Sequence, residues 1–202
     1  MGKKIIVPFI LLTILVFFGC THRTILPDDF HISKPASVSK IPLRAGLYLH
    51  PAFENFKFIG NKGQGKQVPI ELGGAITTAA KISMREVFEN VVMVQNIDSD
   101  LTAKDIDIII FPSIEKVDNM MASAFPFVWD SYFICKWSIK GRNGKLLYVN
   151  TVIGEGHYKS SFNSNKFAES MVPAVQDHFN KLTAHLLSTK WWENINVKDA
   201  TP

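Results

Sequence analysis

Residues 132–158, YFICKWSIKGRNGKLLYVNTVIGEGHY, decide how this chain folds. From Tyr132 to Lys140 the residues alternate. Phe133, Cys135, Trp137 and Ile139 fall on one side, and Tyr132, Ile134, Lys136 and Ser138 on the other. A period of two belongs to a β-strand with one face against a core. Asn143-Gly144 follows, the favoured pair for a tight hairpin turn, in which both central residues take positive φ. Leu146 to Tyr158 returns as the partner strand.

Working outward, 106–117 (IDIIIFPSIEKV) is dense in β-branched residues and predicts a buried strand. Pro112 within it predicts a bulge, or an edge position beyond it. Asp98 to Lys104 predicts a polar loop. Leu72 to Asn90 predicts a helix, because Ile76, Ala79, Ala80, Ser83, Met84, Val87 and Val91 recur at spacings of three and four. Thr77, Lys81, Arg85 and Glu89 make its wet face, and Val91 to Gln95 is a short β-rich run after it. Ala45 to His50 and Phe53 to Ile59 predict two short strands, the second followed by a glycine-rich turn at 60–66. On the carboxyl side, Ala168, Met171, Val172, Val175, Phe179, Leu182 and Leu186 stripe a second helix, with Pro173 in its first turn or at a kink. The tail from Trp191 reads as peripheral. Two helices with one apolar face each can cover one side of a sheet. The expected class is therefore α+β, two helices packed on one face of a mixed four- to five-stranded sheet.

This order resembles a group of bacterial envelope domains: the amino-terminal domain of TolB, CsgG, LpoB and YajG-type lipoproteins. The stretches that carry the resemblance are SMREVFENVVMV (83–94), DIDIIIFPSIEKV (105–117) and ICKWSIKGRNGKLLYVNTVIGEG (134–156), within residues 45–188. The resemblance is one of pattern. It implies a fold, and accessory roles beside a cell-wall synthase, a secretion or transport complex, or an envelope assembly.

The first twenty residues read as an address. Lys3 and Lys4 make a positive head, and Ile5 to Phe18 carries no charge. As a helix that run spans roughly 21 Å at about 1.5 Å per residue, short of a bilayer core about 30 Å thick. It fits the apolar core of a secretory signal. It ends in Phe17-Phe18-Gly19-Cys20, which resembles the bacterial lipobox, with Phe17 where that family most often has Leu. The resemblance implies a diacylglycerol on the Cys20 sulfur and cleavage that makes Cys20 the first residue. It also implies an acylated amine. The plainer alternative is an ordinary signal or short anchor with an accidental cysteine. Thr21 follows, where Asp in such lipoproteins favours inner-membrane retention, so the outer membrane is expected, with the domain facing the periplasm. The expected organisation is a signal peptide over 1–19, a lipidated Cys20 with a flexible tether over 20–42, a periplasmic domain over 43–190 and a tail over 191–202. The tether contains Pro27, Pro35 and Pro42, and extended it would reach roughly 60 Å at about 3.1 Å per residue. Part of it can instead pack on the domain through Ile25, Leu26, Phe30 and Ile32.

The net charge is +4 with 22 basic and 18 acidic residues. Removing Lys3 and Lys4 with the signal leaves 20 basic against 18 acidic, a net of +2. No block of five Lys or Arg remains, so no nucleic-acid partner is expected. The sequence has two cysteines, Cys20 and Cys135. With Cys20 lipidated, no disulfide can form within the chain, and Cys135 reads as a small buried core residue. Gly60 to Lys66 spells G-x-x-x-x-G-K, but Gln67 stands where a P-loop has Ser or Thr. Asp98 opens like a Ca²⁺ loop, but Ala103 and Ile109 occupy the positions that need Gly and Glu. His178 and His185 share a helix face, too far apart for a usual zinc pair, and a surface or boundary position is expected for them. No metal, no cofactor and no catalytic team is expected.

One segment stands out. Met120, Met121, Phe125, Phe127 and Trp129 crowd a connection between two strands, where polar residues are usual. They read either as an adaptable patch for a protein partner or a membrane surface, or as a loop folded down over the core. The expected function is a non-catalytic accessory or adaptor lipoprotein, held in the outer membrane by acyl chains on Cys20, with an envelope protein as partner. The alternative is a carrier of lipid or another apolar small molecule.

Overall fold

The computed structural model describes residues 24–27, 29–32, 34–61, 67–97, 105–124, 126–160, 164–193 and 195. The signal segment, Cys20, the 98–104 loop, most of the glycine-rich turn and Phe125 lie outside the described residues.

The strands form two sheets. The larger holds β2 (Ile41–Tyr48), β5 (Phe88–Val94), β6 (Ile108–Ala124), β7 (Phe127–Gly141) and β8 (Leu146–Ser160), in the order β5-β2-β6-β7-β8. β2 runs parallel to both β5 and β6, and β6, β7 and β8 are antiparallel. The smaller holds β1 (Thr24–Ile25), β3 (Lys57–Asn61) and β4 (Gln67–Glu71), with β1 parallel and β3 antiparallel to the central β4. Helices α1 (Pro51–Glu54), α2 (Gly73–Val87) and α3 (Met171–Ser188) complete the fold, and a 3-10 turn (Ser164–Ser170) leads into α3. The fold is α+β, with three helices and two mixed sheets among the described residues. The second sheet and α1 are additions to the arrangement expected from sequence.

The alternation in β7 holds as read: Phe133, Cys135, Trp137 and Ile139 are all buried. They meet α3, where Phe179 lies 5.8 Å from the Trp137 ring and 6.5 Å from Phe133. The turn differs from expectation. Only Gly144 takes positive φ, at 76°. Gly144 N–H donates to the Gly141 carbonyl at 2.9 Å, and Gly141 N–H to that of Lys145 at 2.9 Å. This is the longer hairpin connection with a glycine in the left-handed position, so Asn143 needs no positive φ. Instead its Oδ1 accepts from Lys145 N–H at 2.9 Å. Pro112 lies beyond Ile110, the last β6 residue paired with β2, so its missing N–H costs the sheet nothing on that side.

Helix α2 packs on α3, with a buried hydrogen bond of 2.8 Å between the Ser83 and Thr183 hydroxyls. Helix α3 lies close on β8 because Gly154 and Gly156 have no side chains. A Cβ on Gly154 would run into the Ala174 carbonyl, and one on Gly156 into that of Ser170. The same helix protects the outer edge of β8. Asp177 Oδ2 accepts from Glu155 N–H at 2.9 Å, and Lys181 Nζ donates to the Ile153 carbonyl at 3.1 Å. The two side chains pair with each other at 2.7 Å. A long edge with free backbone groups invites another strand. Asp177→Ala with Lys181→Ala should therefore promote concentration-dependent self-association, measured by sedimentation equilibrium, with little loss of helix content.

Three expectations are corrected here. Residues 53–59 are not one strand. Pro51 starts a helical turn, His50 Nδ1 accepts from Ala52 N–H at 3.1 Å, and β3 begins only at Lys57. Within the 20–42 segment, the described residues from Thr24 onward are not a free tether. β1 pairs with β4, and Leu26, Phe30 and Ile32 are buried. Gln176 on α3 brackets the backbone of His31, accepting from its N–H at 3.0 Å and donating to its carbonyl at 2.6 Å. Burying such side chains gains about 1.5–3 kcal/mol each, which offsets part of the entropy lost on ordering the segment. The domain thus includes β1, from Thr24 onward. Nor is the tail peripheral at its start. Trp191 packs beside Phe88 and Tyr148, and its indole N–H donates to the Leu186 carbonyl at 3.2 Å.

Candidate functional site

The segment singled out from sequence is strand rather than loop. β6 continues through Ala124 and β7 starts at Phe127, so the residues form the end of a long hairpin. The structure divides them. Met120 and Met121 are 46% and 39% exposed, and Phe127 is half-buried. Trp129 is fully buried, with its ring centroid 5.9 Å from that of Phe167. Trp129 therefore leaves the candidate surface and joins the core. It extends the same alternation, through Ser131, that buries Phe133 and Trp137. That signal was present in the sequence. Phe125 lies outside the described residues.

A buried polar cluster ties this end together. Asn119 Nδ2 lies within hydrogen-bond reach of Ser131 Oγ (2.7 Å), Ser170 Oγ (2.9 Å) and the Phe167 carbonyl (3.1 Å). The Ser131 and Ser170 hydroxyls are 2.6 Å apart. β6, β7 and the 3-10 turn are thus fixed to one another beside the exposed methionines.

The same end carries the start of the described chain. Tyr158 in β8 stands opposite Trp129, which stands opposite Met121 in β6. Tyr158 also lines a cleft of about 560 Å³ together with Ile25, Leu26, Val172 and Pro173. Across β1, β4 and β3, Ile25, Glu71 and Lys57 form one row of an open face, and Pro69 and Ile59 the next. Lys57 Nζ and Glu71 Oε1 pair at 3.1 Å. On the opposite face Ile70 is buried and Phe58 packs on the core. The open face was not visible in sequence, because it depends on pairing between segments more than forty residues apart. A second cleft, about 420 Å³, lies between α1 and β6 and is lined by Tyr48, His50, Phe53, Phe111 and Ile114 among others.

The remaining chemistry candidates are part of the core or of the protein's own surface. His178 is fully buried, which corrects the surface position expected for it. Trp137 Nε1–H donates to its Nε2 at 3.0 Å, so the neutral ring carries its proton on Nδ1. Burial lowers its pKa to about 3, against a smaller upward pull from the backbone at Phe133 and Val152. Cys135 is buried, and burial pushes its thiol well above the usual range, so it offers no thiolate. No cluster of three metal-ligating side chains occurs among the described residues. None of the described helices is long and apolar enough to cross a membrane.

No family model matches the chain, and no curated protein matches its sequence. Among solved structures it is similar to protein XCC0632 from Xanthomonas campestris, of the family DUF330. The TM-score is 0.60 at 9% identity, covering 86% of this chain and 99% of that one. It is also similar to a minor lipoprotein from Acinetobacter baumannii, with a TM-score of 0.46 at 10% identity, covering 75% of this chain and 95% of that one. The first likeness shows that the chain has the fold of the Xanthomonas protein. At these identities nothing beyond the fold follows.

Proposed function

We propose that the chain is a bacterial outer-membrane lipoprotein, held by acyl chains on Cys20, whose periplasmic domain is a non-catalytic accessory or adaptor subunit of an envelope complex. The observation that carries this reading is the position of Phe17-Phe18-Gly19-Cys20 directly ahead of the folded chain. Four residue steps separate Cys20 from Thr24, where the backbone is already paired with β4. At about 3.3–3.6 Å per residue the leash is at most about 14 Å, not the roughly 60 Å expected of a tether. Two or more acyl chains give firm anchoring, since each buried methylene contributes about 0.8 kcal/mol. A domain on so short a leash meets partners in or beside the membrane, at high effective concentration. The TolB, CsgG, LpoB and YajG resemblance supports roles in secretion, transport or cell-wall assembly.

Met120, Met121 and Phe127, with Phe125 next to them in sequence, are the partner-binding residues in this reading. Methionine suits an adaptable contact. In membranes from cells making the full-length protein, Met120→Asp with Met121→Asp should reduce cross-linking to a membrane-protein partner at least tenfold, with an unchanged circular dichroism spectrum. Undiminished cross-linking with folded protein would discard this patch.

A second reading is a binder of lipid or another apolar small molecule. Its support is the two apolar clefts, whose volumes fall in the range that small ligands occupy. Native mass spectrometry showing no lipid on protein extracted in mild detergent would remove it.

A further inference from the structure

We infer that the open face of the smaller sheet, centred on Ile25 and Ile59, seats on the surface of a lipid bilayer. This rests on the proposed anchor at Cys20 and adds to it an orientation and a second contact. Ile25 is 72% exposed and Ile59 54%, the two most exposed large hydrophobic side chains among the described residues. Register places both on one face, with Pro69 beside Ile59, and Lys57 and Glu71 neutralise each other within it. Two isoleucines on one open face carry a cost in water that contact with lipid removes. The chain leading out of β1 selects the occupant. Ile25 follows Thr24 directly, and Thr24 is within about 14 Å of an acylated Cys20. A leaflet's headgroup layer is itself about 5–8 Å deep, so β1 can stand no more than about 6–9 Å above the headgroups. The cleft beside Ile25, with Leu26, Pro27 and Val172, opens at the same place. A protein partner would have to displace lipid from beneath the domain's own anchor.

The test uses the full-length, lipidated protein in vesicles of phosphatidylethanolamine and phosphatidylglycerol. Single cysteines at Ile25→Cys, Ile59→Cys and Leu146→Cys are labelled with an environment-sensitive fluorophore. Cys135, being buried, and Cys20, being acylated, leave the introduced thiol as the reactive one. Leu146 is exposed and lies twelve residues from Tyr158 along β8, about 40 Å at about 3.3 Å per residue. We expect all three proteins to float with the vesicles. Labels at 25 and 59 should emit to the blue and lose most of their intensity to nitroxide-bearing lipid, while the label at 146 should do neither. Floating protein whose label at 25 or 59 is as water-like as that at 146 overturns the seating and leaves the anchor standing. Protein that does not float removes the anchor, and the seating with it.

Discussion

Replacing Gly154 and Gly156 together by alanine is expected to leave the domain unfolded or close to it. Each new methyl group would be driven into a backbone carbonyl of the helical segment above, Ala174 for the first and Ser170 for the second. A side chain can rotate away, but a helical carbonyl cannot. The segment must lift, and Phe179, Leu182 and Leu186 lift with it from their buried positions. Overpacking ordinarily costs about 1–3 kcal/mol per site, and two rigid clashes under one helix should reach about 5 kcal/mol. Domains of this kind have only about 5–15 kcal/mol in total. Either single change should lower the urea midpoint clearly, and the double change should abolish the cooperative transition. Gly74→Ala is the control, because a Cβ there meets nothing within 4 Å. It should be neutral, or stabilising by about 0.5–1 kcal/mol, since alanine suits a helix better than glycine. A double variant as stable as the parent would contradict the close packing of α3 on β8.

Acid should unfold the protein, in good part through His178. Folded, the imidazole stays neutral to about pH 3, because burial disfavours its charge. Unfolded, it takes up a proton near its ordinary value of 6.5. Between these values the unfolded chain binds a proton that the folded one refuses, so stability rises with pH. The contribution is fully present above the unfolded value and falls as pH drops below it, by up to about 1.4 kcal/mol per unit. By about pH 4 the loss is on the order of 3 kcal/mol. Asp177 and Lys181, one turn or less away on α3, act in opposite directions on the ring. His178→Gln removes the titrating group and keeps an atom that can accept from Trp137. Its urea midpoint should start lower at neutral pH but depend less steeply on acid. Parallel slopes for the two proteins would contradict a buried neutral histidine.

What the sequence revealed was local and periodic. The alternation of Phe133, Cys135, Trp137 and Ile139 and the stripe from Met171 to Leu186 each point one face inward, and the structure buries both except for Val172, which is half-buried. What it concealed was pairing at a distance. Leu26, Phe30 and Ile32 lie among prolines and polar residues, so the segment reads as a linker, yet β4 and Gln176 of α3 hold it. The candidate site suffered from the same limit. Crowding of apolar residues from Met120 to Trp129 read as one unit, either a patch or a loop folded over the core, but strand geometry sends Trp129 to the core and leaves Met120 and Met121 outside. Extending the β7 alternation back to Trp129 would have separated them. The Ile25 and Ile59 face had no local signal, because it exists only once β1, β4 and β3 are side by side.

Anchor, short leash and seating all depend on the chemistry of Cys20, and intact-mass measurement of the protein extracted from membranes reads it directly. The predicted species begins at Cys20 and is heavier than the bare chain by a diacylglyceryl group, with a further acyl chain on its amine. A species that retains Met1, or one that begins at Cys20 with a free thiol, would contradict the anchor, the short leash and the seating of the smaller sheet together.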